Sequence, residues 1–177
     1  MEIGHEVAIL SYIGKMVPSM GGSSDADWVA STQLMCECED VYAKLTKWQP
    51  TTRQPIKCDA ADLSALWTMD ADPTTHNRDQ GLHCNLGNLD ALGARCSASP
   101  SVAAGCFTET GVSVGECKLF STLHALVLIE PEVLRPHPHL AAFHERFGDH
   151  ESTRSIVEGG GEMPGTFEQY FVRGEQQ

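Results

Sequence analysis

Positive charge is scarce in this chain. Twelve Lys and Arg stand against 24 Asp and Glu in 177 residues, a formal net charge of −12. Phosphate backbones are held by clustered cations. No basic stripe runs along the sequence, so nucleic acid is excluded as a main partner. Long hydrophobic runs are missing too. The longest, Leu119 to Ile129, is interrupted by Ser121, Thr122 and His124, which is too short and too mixed to span a bilayer. The first residues, MEIGHEVAIL, place Glu2 where a secretory leader carries Lys or Arg. The seven cysteines include no Cys-x-x-Cys pair and are odd in number. In a chain of this length that pattern implies reduced thiols in a cytoplasmic setting.

What is present suffices for one domain. Hydrophobic residues make up 41% and charged residues 20%, a composition that can bury a core and is not that of a disordered chain. Apolar residues recur at helical rather than alternating spacing. HEVAILSYIGKM, residues 5–16, predicts a short amphipathic helix, and VPSMGGSS, residues 17–24, a linker. Ser24 or Asp25 can cap a long helix through Trp48, with Trp28, Thr32, Met35, Cys38, Val41, Leu45 and Trp48 as its stripe, ended by Pro50 and Pro55. Residues 60–69 form a helix or extend the next one. Residues 75–96 place Leu82, Leu86, Leu89 and Leu92 on one face, with Arg78, Asp79, Asn85 and Asn88 elsewhere, and SASPSVAAG follows as a loop.

Ser113 and Glu116 then form S-x-x-E, the pattern of a capping box. The serine accepts from the backbone N–H at Glu116 while the glutamate reaches back to the serine N–H. Val112 and Cys117 sit where a hydrophobic staple closes. The cap opens the most apolar helix, with Leu119, Phe120, Leu123, Leu126 and Val127, ended by Pro131 and Pro136. HLAAFHERFGDH puts Leu140, Phe143 and Phe147 on one face. ESTRSIVEG predicts a short helix with Ser/Thr caps, and GGGEMPGTFEQYFVRGEQQ a tail with aromatic anchors Phe167, Tyr170 and Phe171. Five to seven helices around one buried helix, about 112–130, make an all-α bundle.

Gly111-Val112-Ser113-Val114-Gly115-Glu116, followed by His137-Pro138-His139-Leu140-Ala141-Ala142-Phe143-His144-Glu145-Arg146-Phe147, resembles the C-terminal helical domain of glutathione transferases. The family usually has Asp at the position of Glu116. HEVAILSYIG resembles that family's Q/E-S-x-A-I-L-x-Y-I, the last helix of its thioredoxin-like domain. Cys38-Glu39-Asp40-Val41 looks like the xEDxR helix of the mu, pi and sigma branches. The resemblance covers nearly the whole chain in element order. It implies residues 1–17 as a remnant of the thioredoxin-like domain, 18–24 as a linker, and 25–177 as a transferase-type helical domain.

The resemblance also implies glutathione as substrate, a hydrophobic electrophile beside it, and a homodimer. His5 and Glu6 match the Gln-Ser pair that holds the γ-glutamyl carboxylate, and Asp40 matches an acidic residue that reaches the γ-glutamyl amine across the dimer. Glu6 in place of Ser sets a carboxylate beside the ligand's own, which calls for a cation between them; His5 is one candidate. No activating Tyr, Ser or Cys is matched, and Tyr12 lies in the wrong element for that role. Two functions follow: a glutathione transferase completed by a thioredoxin-like half, or a non-catalytic helical domain acting as a binding or scaffold subunit in a larger protein complex.

Other candidates read more plainly. His137 and His139, with His144 and His150 downstream, lack the spacing of a zinc site and are read as surface or loop histidines. His124 reads as a hydrogen-bonded core residue. Cys36 and Cys38 face opposite sides of a helix, and Cys106 is the candidate reactive thiol. Gly159-Gly160-Gly161 lacks the Lys-Ser/Thr of a phosphate loop and reads as a hinge. No metal is called for.

Overall fold

The computed structural model describes residues 5–45, 47–48, 55–56, 58–67 and 81–159. The aromatic anchors of the tail, the Gly160-Gly161 part of the glycine run, and Arg78 and Asp79 lie outside the described residues. Among the described residues eight helices follow one another: α1 Glu6–Met16, α2 Pro18–Gly21, α3 Asp25–Leu45, α4 Ala60–Trp67, α5 Leu82–Ser97, α6 Val114–Ile129, α7 Pro138–Asp149 and α8 Glu151–Val157. One antiparallel pair, β1 Lys47–Trp48 with β2 Pro55–Ile56, is the only sheet among the described residues. The chain is all-α.

α6 is the centre of the core. Leu119, Leu123 and Leu126 are fully buried, and they join Leu34, Cys38 and Val41 of α3, Leu82, Leu86 and Leu89 of α5, and Leu140 and Phe143 of α7. α3 and α6 approach so closely at one point that side chains are excluded. A Cβ on Gly115 would stand 2.2 Å from the Ser31 carbonyl oxygen. The contact is also polar: the Gly115 N–H donates to Ser31 Oγ at 3.0 Å.

The capping box forms as its spacing predicts. Ser113 Oγ accepts from the Glu116 N–H at 3.3 Å, and Ser113 N–H donates to Glu116 Oε2 at 2.9 Å. Glu116 does more than cap. Its fully buried carboxylate also accepts from Phe107 N–H at 2.8 Å, Thr108 N–H at 3.3 Å and the Thr108 hydroxyl at 2.6 Å. Arg146 of α7 closes the same loop from the other side, donating to the carbonyls of Gly105 at 2.7 Å and Gly111 at 3.0 Å. Gly105 and Gly111 have φ of 72° and 65°, the left-handed region that glycine occupies without steric cost. The start of α7 is capped from outside. Asp90 Oδ1 of α5 accepts from the N–H groups of His139 and Leu140 at 2.8 and 3.0 Å, two donors that no helical turn satisfies.

Several boundaries differ from the sequence reading. The 17–24 stretch is not wholly linker, since Pro18 starts the short α2. α3 stops at Leu45 and Trp48 falls in β1. Trp28 is exposed rather than in the stripe; Asp27, Ser31 and Leu34 are buried instead. Asp27 belongs inside because its carboxylate accepts from Ser23 N–H and from Glu109 N–H, which ties the start of α3 to the loop before α6. Asn85 is buried on α5, where its Oδ1 accepts from Lys44 Nζ at 2.8 Å. α8 has no side-chain cap, its N-cap being His150.

Two substitutions test this frame. Glu116→Ala strands the N–H groups of Phe107, Thr108 and Ser113, and urea unfolding is expected to show a loss of at least about 3 kcal/mol; a loss below about 1 kcal/mol would mean that the loop finds other acceptors. Gly115→Ala is expected to cost about 1–3 kcal/mol despite alanine's better helix propensity, because the new methyl meets the Ser31 backbone.

Candidate functional site

α6 is apolar around most of its circumference, so it has more than one face to bury. One face meets α3. On another, Cys117, Phe120, His124, Ala125 and Leu128 recur at helical spacing and line an open cleft. Phe147 of α7 with Ile156 and Val157 of α8 form the facing wall, and Tyr42 and Leu45 of α3 border it. The cleft holds about 690 Å³, within the range of roughly 300–1,000 Å³ that small-molecule sites occupy. Its walls are mostly apolar, with the polar atoms of Tyr42, Ser121, His124 and His150 among them. Neither the cleft nor the part of α8 in it was evident from the sequence. Spacing shows that a residue is apolar, not whether it faces a core or a hollow.

His124 stands at the cleft beside a second imidazole. Its Nδ1 lies 3.3 Å from His144 Nε2. The ring centroids are 5.5 Å apart and the planes 17° from parallel. With the nitrogens that close at that centroid separation, the rings meet edge to edge, one donating N–H to the other. Phe120 packs against both, at centroid distances of 5.3 and 5.1 Å. Burial, and then the neighbouring charge of His124, pushes the His144 pKa down to about 4. His124 is thus hydrogen-bonded, as the sequence suggests, but it is half-buried at the cleft and not in the core. His137 departs from the surface reading: it is buried, and burial chiefly lowers its pKa.

The three positions matched to glutathione binding do not line this cleft. His5 precedes α1 and is exposed, with φ 77°. Glu6 is exposed and pairs with the buried Lys118 of α6 at 2.8 Å, and Glu39 of α3 pairs with the same ammonium. Burial alone would lower the Lys118 pKa, but the two carboxylates outweigh it and the net shift is upward. The cation beside Glu6 is therefore Lys118 and not His5. Asp40 is exposed on α3, next in sequence to Glu39. The structure brings Glu6 and Glu39 together through one lysine.

All seven cysteines are free thiols. Cys38 is fully buried, and burial pushes its pKa up to about 12. Cys106 does not have the setting of a reactive thiol. It is buried, and burial raises its pKa more than the nearby Arg146 lowers it. Among the described residues no group of three or more His, Cys, Asp or Glu is placed to hold a metal ion, and no helix is long and apolar enough to cross a membrane. Comparison with protein-family models, curated proteins and solved structures finds no match to this chain.

The His144 shift carries a pH dependence. The unfolded imidazole takes a proton near 6.5 and the folded one only near 4. The unfolded state therefore binds more protons between these values. The stability in question is present above pH 6.5 and is lost as the pH falls toward 4, up to something on the order of 3 kcal/mol. In His144→Phe, urea melts at pH 7 and pH 4.5 are expected to differ less than in the wild type, by more than about 1 kcal/mol. An unchanged difference would place the acid sensitivity elsewhere, His137 first.

Proposed function

We propose that this helical domain binds a hydrophobic small molecule in the cleft between α6, α7 and α8. Together with a thioredoxin-like half, it acts as a glutathione transferase that conjugates glutathione to such electrophiles. The observation that carries the reading is the cleft itself, a mostly apolar hollow of ligand size bordered by a few polar groups. The formed capping box and the Arg146 clamp support it, since both fall in the motifs that resemble the transferase helical domain. In this reading the cleft supplies the apolar wall for the electrophile. His5, Glu6 and Asp40 are the positions that the resemblance assigns to the tripeptide, Glu6 being held by Lys118.

A second reading is favoured by a different surface. Ile9, Tyr12 and Met16 of α1, Val17, and Trp28 and Val29 of α3 are exposed large apolar side chains, between 38% and 63% accessible. Where such side chains form one patch, the surface marks an association site. It suits a subunit that docks on another protein and has no catalytic role.

The experiments separate the two. An apolar fluorophore is expected to bind the chain and to lose roughly tenfold or more in affinity in Ile156→Asp, which charges an exposed residue of the cleft wall. The enzyme reading further expects retention on immobilised glutathione and turnover of a chloronitrobenzene by the complete translation product. Absence of turnover there, with fluorophore binding intact, would leave ligand binding and remove conjugation. A monodisperse free homodimer with full transferase activity would remove the scaffold reading.

A further inference from the structure

Outside the cleft, one pair of side chains has the geometry of a nucleophile and its base. Cys84 Sγ lies 3.3 Å from His83 Nε2, at the start of α5. The other nitrogen of that ring, Nδ1, lies 2.6 Å from the carbonyl oxygen of Trp67, the last residue of α4. A carbonyl only accepts, so Nδ1 carries the hydrogen. In the neutral ring Nε2 then presents its lone pair to the thiol. A sulfur, a base in reach and a third group fixing the base make the arrangement that activates nucleophiles.

The helix ends add to this. Cys84 is the third residue of the 16-residue α5, which has no acidic residue in its first turn and no side-chain cap from Gly81. A sulfur anion there faces the positive end of the helix with no competing carboxylate on that turn. The imidazolium formed on His83 faces the negative, C-terminal end of α4 through the Trp67 carbonyl. Both partners are open to solvent: His83 is exposed and Cys84 half-exposed. The other cysteines lack this setting. Cys38, Cys58 and Cys106 are buried, and burial raises the pKa of Cys96 and Cys117.

We propose that Cys84 and His83 form a reactive thiol–imidazole couple that undergoes thiol–disulfide exchange with low-molecular-weight disulfides. The Cys84 proton passes to His83 Nε2, and the sulfur attacks one sulfur of the disulfide. The new S–S bond forms as the old one breaks. The departing thiolate carries off the electron pair and takes the proton back from His83. Cys84 ends oxidised in a mixed disulfide, one thiol is released reduced, and a second thiol reverses the reaction. The couple shares no residue with the cleft, so its chemistry stands or falls apart from ligand binding there.

The test uses the whole chain, reduced, then mixed with glutathione disulfide at pH 7, with each cysteine followed by peptide mass spectrometry. Cys36 is the internal reference, being exposed. Cys84 is expected to gain a glutathionyl group roughly tenfold or more faster than Cys36. His83→Phe is expected to bring it down to about the Cys36 rate and to leave Cys36 unchanged. Equal rates in the wild type, or a Cys84 rate indifferent to His83→Phe, overturn the couple. Fast reaction with iodoacetamide but none with glutathione disulfide overturns the disulfide as its substrate. If His83→Phe disrupts the fold, Cys38 becomes labelled and reports it, and the wild-type ratio of Cys84 to Cys36 then decides.

Discussion

A single buried carboxylate fixes the path of the chain into its core. Glu116 is fully buried and accepts five hydrogen bonds: from three backbone N–H groups, at Phe107, Thr108 and Ser113, and from the hydroxyls of Thr108 and Ser113. Removing a carboxylate from water is costly unless every acceptor site finds a donor. Here the donors come from a loop that has no regular structure of its own to satisfy them. Each side therefore solves the other's problem. The charge becomes tolerable because the loop encloses it, and the loop holds one shape because its N–H groups converge on the charge. Arg146, 4.0 Å from the carboxylate, takes up loop carbonyls pointing the other way.

With that entry fixed, the rest of α6 is free to be apolar. Its two buried charges lie in its first half. Glu116 sits in the first turn, where the helix dipole favours an anion. Lys118 is neutralised by carboxylates from two other helices, Glu6 of α1 and Glu39 of α3. The ion triad fastens α1 to the central helix, and so ties the segment that the resemblance would set in another domain to the rest of the helices. The close crossing at Gly115 and Ser31 then sets how deeply α3 can seat.

The helical class, the capping box and most of the core leucines were legible in the sequence, because each rests on a local rule of spacing or of reciprocal caps; the count was not, since eight helices stand among the described residues where five to seven were expected. The misreadings share a cause. Asn85 was placed off the apolar face because its type is polar, and nothing local marked Asp27 for burial, yet each is buried against a partner far along the chain, Lys44 and Glu109 respectively. Cys106 was chosen for its loop, and its burial depends on how that loop folds. The Cys84–His83 couple shows the same limit from the other direction. Two adjacent residues are visible in any sequence, but the Trp67 carbonyl that orients the imidazole comes from another helix. The cleft was hidden because a core face and a cleft face of α6 have the same composition.

That equivalence of faces bears on why the cleft exists. A helix apolar on every side must be enclosed on every side or leave a hollow. α3, α7 and α1 pack against α6, but α8 is only seven residues long. Phe120 shows the consequence in one side chain. It is buried as part of the core, yet its ring also packs against His124, His144 and Phe147 and lines the cleft. The imidazole pair sets one hydrogen bond beside that wall, between His124 Nδ1 and His144 Nε2. The cleft therefore follows from one largely apolar helix meeting one short neighbour, and its polar groups include the solvent-exposed Ser121 and His150.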